Sequence, residues 1–235
     1  MPTGFDTLDI VAIGVFFAAW LAYQVLFDGR LRRDDALNAL MISLRNRWML
    51  RLLQRDNRIV DSTLVGHTIH SAAFFASTTM LVLAGLIGVL GSADRIYTAI
   101  ANISVLLGGG QRLFEWKLVL LIGIFIYAFF KFTWALRQFN YFCAVIGSAP
   151  DAPDDPEEAK AYARRMADVL THAVHELNAG VRAYYFAFAA FAWFIHPVAF
   201  VVATLLMVLV LIRRQLYSPT AVALREHVRA LRAMR

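Results

Sequence analysis

The run from residue 183 to residue 212 contains no Asp, Glu, Lys or Arg. A helix needs about 20 mostly apolar residues to cross the hydrocarbon core of a membrane, so this run is long enough to span it. As one straight helix it would be roughly 45 Å long, which predicts that it tilts, protrudes or bends at Pro197. The whole chain is 60% hydrophobic and 17% charged, whereas soluble domains are about 45–50% apolar and about 25% charged. The sequence therefore predicts an integral membrane protein, with the whole chain of 1–235 as a single domain.

Four apolar stretches are long enough to cross a membrane. They cover approximately residues 8–27, 70–90, 117–141 and 183–212. A shorter apolar run at 96–107 ends in Gly108, Gly109 and Gly110. It is too short to cross, so we expect an interfacial or re-entrant segment there.

Two connectors carry additional helical patterns. In the first connector, at 34–58, apolar residues recur at helical spacing beside a stripe of arginines. This pattern indicates an amphipathic helix that lies either on the membrane surface or against the ends of the spans. In the third connector, Asp155 can cap a helix that has Pro156 in its first turn and ends near Asn178. We therefore expect an all-α membrane protein, a four-transmembrane-helix bundle with a surface helix in the first connector and a helix before the fourth span.

Four spans place both termini on one side of the membrane and the first and third connectors on the other. Basic residues are more numerous in these connectors, and arginines at 30, 32 and 33 follow the first span. Because basic residues favour the cytoplasmic side, we expect the connectors in the cytoplasm and both termini outside, although the C-terminal tail is also basic. The expected location is a bacterial inner (plasma) membrane.

Polar residues are predicted to gather where the third span ends and the fourth begins. Lys131 lies within the third span, and a charge embedded in a membrane is a candidate functional residue. The alternative is a snorkelling lysine with its amine at the headgroups. The predicted layer also contains Arg137, Asn140, Asn178, Arg182, Tyr184 and Tyr185. It is interpreted either as a binding site for a phosphate or lipid headgroup or as a belt that fixes the depth of the helices.

The histidines form a second candidate site. His67 and His70 are three residues apart, as are His172 and His175, and such pairs on a helix can chelate a metal. Surface or capping roles explain the same pattern. His196 precedes Pro197, where we expect a hydrogen-bonding role at a kink, the alternative being a haem ligand. Otherwise no cofactor is expected, and Cys143, the single cysteine, excludes an intrachain disulfide.

The sequence contains no nucleophile–base pair, phosphate loop or nucleotide motif. We therefore expect a non-enzymatic accessory or lipid-associated bundle, which contacts anionic lipids and belongs to a homo-oligomer or a larger membrane complex. The net charge of +6 does not indicate nucleic acid, because the basic residues flank apolar segments. One alternative is a small oligomeric transporter or channel subunit with Lys131 and His196 facing an aqueous path. Another is a metal- or haem-binding protein that uses the histidines.

Three sequence motifs together resemble a known family. They are Phe-Phe-Ala-Ser-Thr-Thr at 74–79, Ala-Phe-Phe-Lys-Phe-Thr-Trp at 128–134 followed by Arg-Gln-Phe-Asn at 137–140, and Asn-Ala-Gly-Val-Arg-Ala-Tyr-Tyr-Phe-Ala at 178–187. They are similar to the integral-membrane family catalogued as domain of unknown function 599, found in bacteria and plants. The resemblance implies a small four-span protein and supplies no activity. The histidine pairs lie outside these motifs.

Overall fold

The computed structural model describes residues 5–27, 36–100, 110–151 and 153–233. These residues form helices and no strands. The helices are α1 (Thr7–Phe27), α2 (Leu37–Leu53), α3 (Ile59–Gly91), α4 (Ala93–Ile100), α5 (Gly110–Gly147), α6 (Pro156–Phe191), α7 (Pro197–Tyr217) and α8 (Pro219–Ala233), and a 3-10 turn at Ala192–Phe194 joins α6 to α7.

Four stretches are long and apolar enough to cross a membrane, namely α1, α3, α5 and the stretch Pro197–Ala233 that begins with α7. The predicted all-α fold with four such helices is therefore confirmed, and the chain has the helices of a multi-pass membrane protein. α3 has 33 residues and α5 has 38, so they are roughly 50 and 57 Å long. Both exceed a hydrocarbon core of about 30 Å, and they extend beyond the predicted spans.

The helix of the third connector does not end near Asn178. Asp155 caps it as predicted, its carboxylate accepting a hydrogen bond from the N–H of Glu157 at 3.0 Å. The helix then continues through Gly180 to Phe191. Residues 183–212 do not form one helix, because the chain breaks at residues 192–196 and α7 starts at Pro197. Of the predicted tilt, protrusion or bend at Pro197, the structure shows an interruption that ends at this proline.

The second half of α6 is the central helix of the bundle. Phe186 of this segment stacks on Trp20 of α1 with ring centroids 4.7 Å apart. The hydroxyl of Tyr184 lies 2.9 Å from that of Thr79 on α3, and Phe132 of α5 packs directly against Gly180. This segment therefore runs through the bundle beside the apolar helices and adds a pass of the chain between α5 and α7.

This additional pass determines where the chain ends. We call the end of the bundle with the start of α1 the N-terminal end. There the indole N–H of Trp193, just after α6, donates to the Asp9 carboxylate at 2.8 Å. From this end α7 runs back to the connector end, which holds α2, α8 and the first half of α6, and Arg47 of α2 donates to the carbonyl of Leu231 of α8 at 3.1 Å. The described chain therefore starts at the N-terminal end of the bundle and finishes at the connector end. The predicted topology had both termini on one side because it counted 183–212 as a single pass, and the side of the membrane on which each terminus lies stays a prediction.

The orientation of the passes separates the basic residues by end. Among the described residues, Arg95, Arg112 and Lys117 are the basic side chains at the N-terminal end. The others lie within the bundle or at the connector end. The connector end also includes α8, the basic C-terminal segment that did not fit the predicted orientation.

The amphipathic α2 packs on the other helices at the connector end. Met49 and Leu52 are buried there, in a cluster with residues of α3, α5 and α6. Asp61, near the start of α3, is 0% exposed and accepts hydrogen bonds from Trp48 and Arg55 of the α2 region, both at 2.6 Å. Of the two predicted placements of this helix, the structure shows packing against the ends of the other helices. The predicted segment at 96–107 begins within α4, and its remainder lies outside the described residues.

Candidate polar site at the connector end

A cavity of about 300 Å³ opens at the connector end between α1, α2, α6, α7 and the start of α8. Arg182, on the central helix, lines it although this residue is only 6% exposed. Its guanidinium carbon lies 5.9 Å from the ring centroid of Tyr23 on α1. The remaining lining residues are Leu37, Asn38, Asn178, Val181, Tyr185, Leu211, Arg214, Gln215, Ser218 and Thr220.

Arg214 places a second guanidinium at this cavity. It lies in the last turn of α7, donates a hydrogen bond to the hydroxyl of Tyr185, and stands 5.5 Å from that ring's centroid. Arg182 and Tyr185 are three positions apart on α6, so both face the same groove. Because α7 returns to the connector end, its final turn meets the part of α6 that carries these two residues.

The charged residues that the structure describes in the cavity lining are positive. Among the described residues that line it, two are arginines, several carry hydroxyl or amide groups, and none is acidic. Arginine presents a planar fork of donors that matches the oxygens of a phosphate or carboxylate. The geometry therefore suits an anion that enters from the connector end.

A smaller cavity of about 60 Å³ adjoins it and shares Asn38 and Asn178 with it. Arg45 of α2 lines this smaller space, and its guanidinium donates to the hydroxyl of Thr171 at 3.4 Å. Burial lowers the pKa of Arg45 to about 10, because removing the guanidinium from water disfavours its charged form. A third arginine therefore lies beside the cavity, and a bound anion would stabilise its charged form.

The structure divides the predicted polar layer. Asn178, Arg182 and Tyr185 line the cavity, whereas Lys131 and Arg137 line a separate groove on the surface of α5. Lys131 forms an ion pair with Glu176 of α6, with N and O atoms 2.7 Å apart. The other members of the layer do not join either group: Asn140 is exposed on α5, and Tyr184 bonds to Thr79 inside the bundle.

The histidine pairs do not form a site with each other. His67 and His70 are exposed on α3, and His172 and His175 are exposed on α6. Within the described residues, no three His, Cys, Asp or Glu side chains are grouped so that they could hold a metal ion.

His196 has the hydrogen-bonding role that its neighbour Pro197 indicated. Its Nδ1 accepts from the N–H of Val198 at 3.1 Å and caps α7. It lies beside Trp193 at the N-terminal end, whereas Lys131 lies toward the connector end. The two residues proposed to face one aqueous path are therefore far apart along the bundle.

Sequence reasoning missed Arg214, Asn38 and Tyr23 as members of the cavity. The predicted four-span arrangement had the end of the fourth span on the opposite side of the membrane from Arg182. The signal that would have corrected it was His196-Pro197, since proline favours the first turn of a new helix. Sequence spacing gave no reason to pair Glu176 with Lys131, and only the packing of α5 on α6 brings the two together.

No curated protein and no solved structure matches the chain. The sequence model of one family, described as protein of unknown function DUF599, matches residues 11–220. This match includes all of the described residues that line the cavity. The chain belongs to the DUF599 family of proteins of unknown function.

Proposed function

We propose that the protein is a non-enzymatic, lipid-associated component of a bacterial inner (plasma) membrane and that its cavity at the connector end binds the phosphate of an anionic lipid headgroup. The observation that carries this proposal is that Arg182, a buried arginine of the central helix, and Arg214 line the same cavity, whose described lining residues include no acid. A charge within a membrane bundle is costly and marks a functional position.

The location of the cavity supports a lipid as the ligand. Arg214 is 17 positions after Pro197 on α7, or roughly 26 Å along the helix, which places it near one surface of a hydrocarbon core of about 30 Å. The described basic residues are concentrated at this same end, and the bias of such residues assigns it to the cytoplasm. Anionic lipids of the cytoplasmic leaflet attract basic groups at this depth.

The size of the cavity also fits a headgroup. Small-molecule sites have volumes of about 300–1,000 Å³, and this cavity is at the lower end of that range. Asn38 and Asn178 add amide groups, and Ser218 and Thr220 add hydroxyl groups around the two guanidinium groups. Such neutral donors would bind the ester and hydroxyl oxygens of a headgroup while the arginines bind the phosphate.

The test is native mass spectrometry of protein purified in mild detergent and incubated with phosphatidylglycerol or phosphatidylcholine. Wild type is expected to retain phosphatidylglycerol preferentially. Arg182→Gln and Arg214→Gln should each weaken this retention roughly 10- to 100-fold, since a hydrogen bond to a charged group contributes about 1.5–3 kcal/mol. Arg229→Gln, an equal charge change on the exposed side of α8, should have no such effect.

Arg214 is exposed, so its substitution tests the site without removing a buried residue. Equal retention by wild type, Arg214→Gln and Arg229→Gln would overturn the proposal. So would equal retention of the anionic and zwitterionic lipids by wild type.

A further inference from the structure

A second feature of the bundle has the form of a lipid site and lies on a different face. Residues of α1 between Phe17 and Gln24 face residues of α5 between Val119 and Tyr127 across a groove of about 480 Å³. Its floor includes Trp20, which stacks on the central helix. A Cβ atom added at Gly123 would meet no atom of a neighbouring helix within 4 Å, so the groove is open at its midpoint.

The groove is apolar except at the end that faces the connectors. There the amide of Gln24 donates to the hydroxyl of Tyr127 at 3.4 Å. Tyr127 also lines the adjoining groove that contains Lys131, Arg137 and Glu176, and the Lys131 ammonium lies 5.5 Å from the Tyr127 ring centroid. The apolar groove thus continues directly into a polar surface. This arrangement suits a molecule with a hydrocarbon tail and a charged head.

The dimensions favour a lipid chain over a protein helix as the occupant. From Val119 to Lys131 is 12 positions on α5, or roughly 18 Å along the helix. One leaflet accounts for half of a hydrocarbon core of about 30 Å, so the apolar groove covers about one leaflet. A transmembrane helix of a partner would need a surface that runs through both leaflets.

The charges at the mouth favour a phosphate. Lys131 is paired with Glu176 at 2.7 Å and is 27% exposed, while Arg137, also at this mouth, is exposed. Two cations and one carboxylate leave one positive charge in excess. We propose that the groove between α1 and α5 holds one acyl chain of a phospholipid whose phosphate binds at Lys131 and Arg137.

This site is separate from the cavity of Arg182. Two neighbouring residues of α1 face different sites, because Tyr23 lines the cavity and Gln24 lines the groove. The two sites can therefore be tested independently: substitutions at Arg214 should not change occupancy of the groove, and substitutions in the groove should not change binding of a headgroup at Arg214.

The experiment uses a phosphatidylethanolamine vesicle that contains a small fraction of the same lipid with a photoreactive group on one acyl chain. The full chain is reconstituted, irradiated and digested, and labelled peptides are identified. We expect labelling concentrated on α1 and α5 between the residues named above. Gly123→Leu should remove most of this label by filling the groove, and Lys131→Gln together with Arg137→Gln should reduce it.

Gly88→Leu is the matched control, because a Cβ atom added at this glycine of α3 also has no neighbour within 4 Å. It should leave the label on α1 and α5 unchanged. Label spread evenly over all apolar helices, or label on α1 and α5 that Gly123→Leu does not reduce, would overturn the proposal. Efficient disulfide crosslinking of two chains through Leu21→Cys in a Cys143→Ser background would also overturn it, because the groove would then be covered by a second copy.

Discussion

The contact between Gly180 and Phe132 gives the most direct prediction about packing. A Cβ atom added at Gly180 would lie 2.5 Å from one carbon of the Phe132 ring and 2.8 Å from two others. Carbon atoms in favourable contact are about 3.5–4.0 Å apart, so the ring would have to move by roughly 1 Å. Phe132 is 0% exposed and stacks on Phe75 with centroids 5.4 Å apart, so its displacement disturbs α3 as well.

The expected cost follows from two opposing effects. Overpacking of a well-filled core costs about 1–3 kcal/mol, whereas replacing glycine by alanine inside a helix contributes about 0.5–1 kcal/mol of stability. Because a carbon–carbon distance of 2.5 Å is far inside the favourable range, the upper part of the overpacking range, about 2–3 kcal/mol, applies. After the alanine gain is subtracted, Gly180→Ala should lower the free energy of unfolding by about 1–2.5 kcal/mol. The control Gly88→Ala has no overpacking effect, because nothing lies within 4 Å of the added atom, and it should raise stability by up to about 1 kcal/mol.

The assay is reversible unfolding in mixed micelles with increasing SDS, followed by the loss of helical circular dichroism. The double variant Gly180→Ala with Phe132→Leu should recover part of the loss, since the smaller side chain relieves the overlap. If Gly180→Ala is at least as stable as wild type, the close approach of α5 and α6 described above is incorrect.

Three further predictions concern polar contacts. Asp61→Asn should lower the free energy of unfolding by about 2–3 kcal/mol, because this buried carboxylate pairs with Arg55 at 2.6 Å; unchanged SDS unfolding would contradict it. The pair Asp9→Asn and Trp193→Phe should show a coupling energy of about 1–2 kcal/mol in a double-mutant cycle, as expected for their hydrogen bond at 2.8 Å; additive effects would refute the contact. His196→Ala should cost about 1 kcal/mol of stability through loss of the α7 cap, and His196→Asn should retain most of it. Equal thermal unfolding temperatures for wild type and His196→Ala would show that the cap is unimportant.

The parts of the fold that the sequence predicted depend on local rules. Apolar runs with charged flanks identified α1, α3 and α5, because hydrocarbon excludes charges along a fixed length of helix. The start of α6 followed from Asp155 and Pro156, whose side chains satisfy and shape the first turn. The amphipathic spacing of α2 was correctly assigned to a helix, and packing decided where that helix lies.

The sequence predicted a bend at Pro197 only as one of three alternatives, for a physical reason. A turn in water is usually marked by polar residues, but this one contains Trp193, which is buried. Its backbone remains satisfied, since the N–H groups of Ile195 and His196 both donate to the carbonyl of Ala192 and the side chain of His196 supplies the acceptor that caps α7. Composition alone therefore cannot distinguish this turn from a continuous apolar helix.

The central pass was missed because its composition is not that of a lipid-facing helix. Asn178, Gly180 and Arg182 interrupt the apolar pattern, yet neighbouring helices bury most of this segment and leave Phe188 and Phe191 exposed. The sequence predicted Asn178, Arg182 and Tyr185, the polar residues that this segment contributes to the cavity. It could not predict Arg214, because that residue reaches the cavity only through the direction of α7.

From its position inside the bundle we infer that the second half of α6 crosses the membrane, so that the chain begins at one side and ends at the other. The most direct measurement is paired topology mapping, with a fluorescent reporter fused after Arg235 and a small epitope tag ahead of Met1 in intact cells. The account predicts a fluorescent C-terminal reporter in the cytoplasm and an N-terminal tag that is accessible from outside without permeabilisation. Both termini on the same side would contradict it, and would also separate Arg182 from Arg214 and remove the proposed headgroup site.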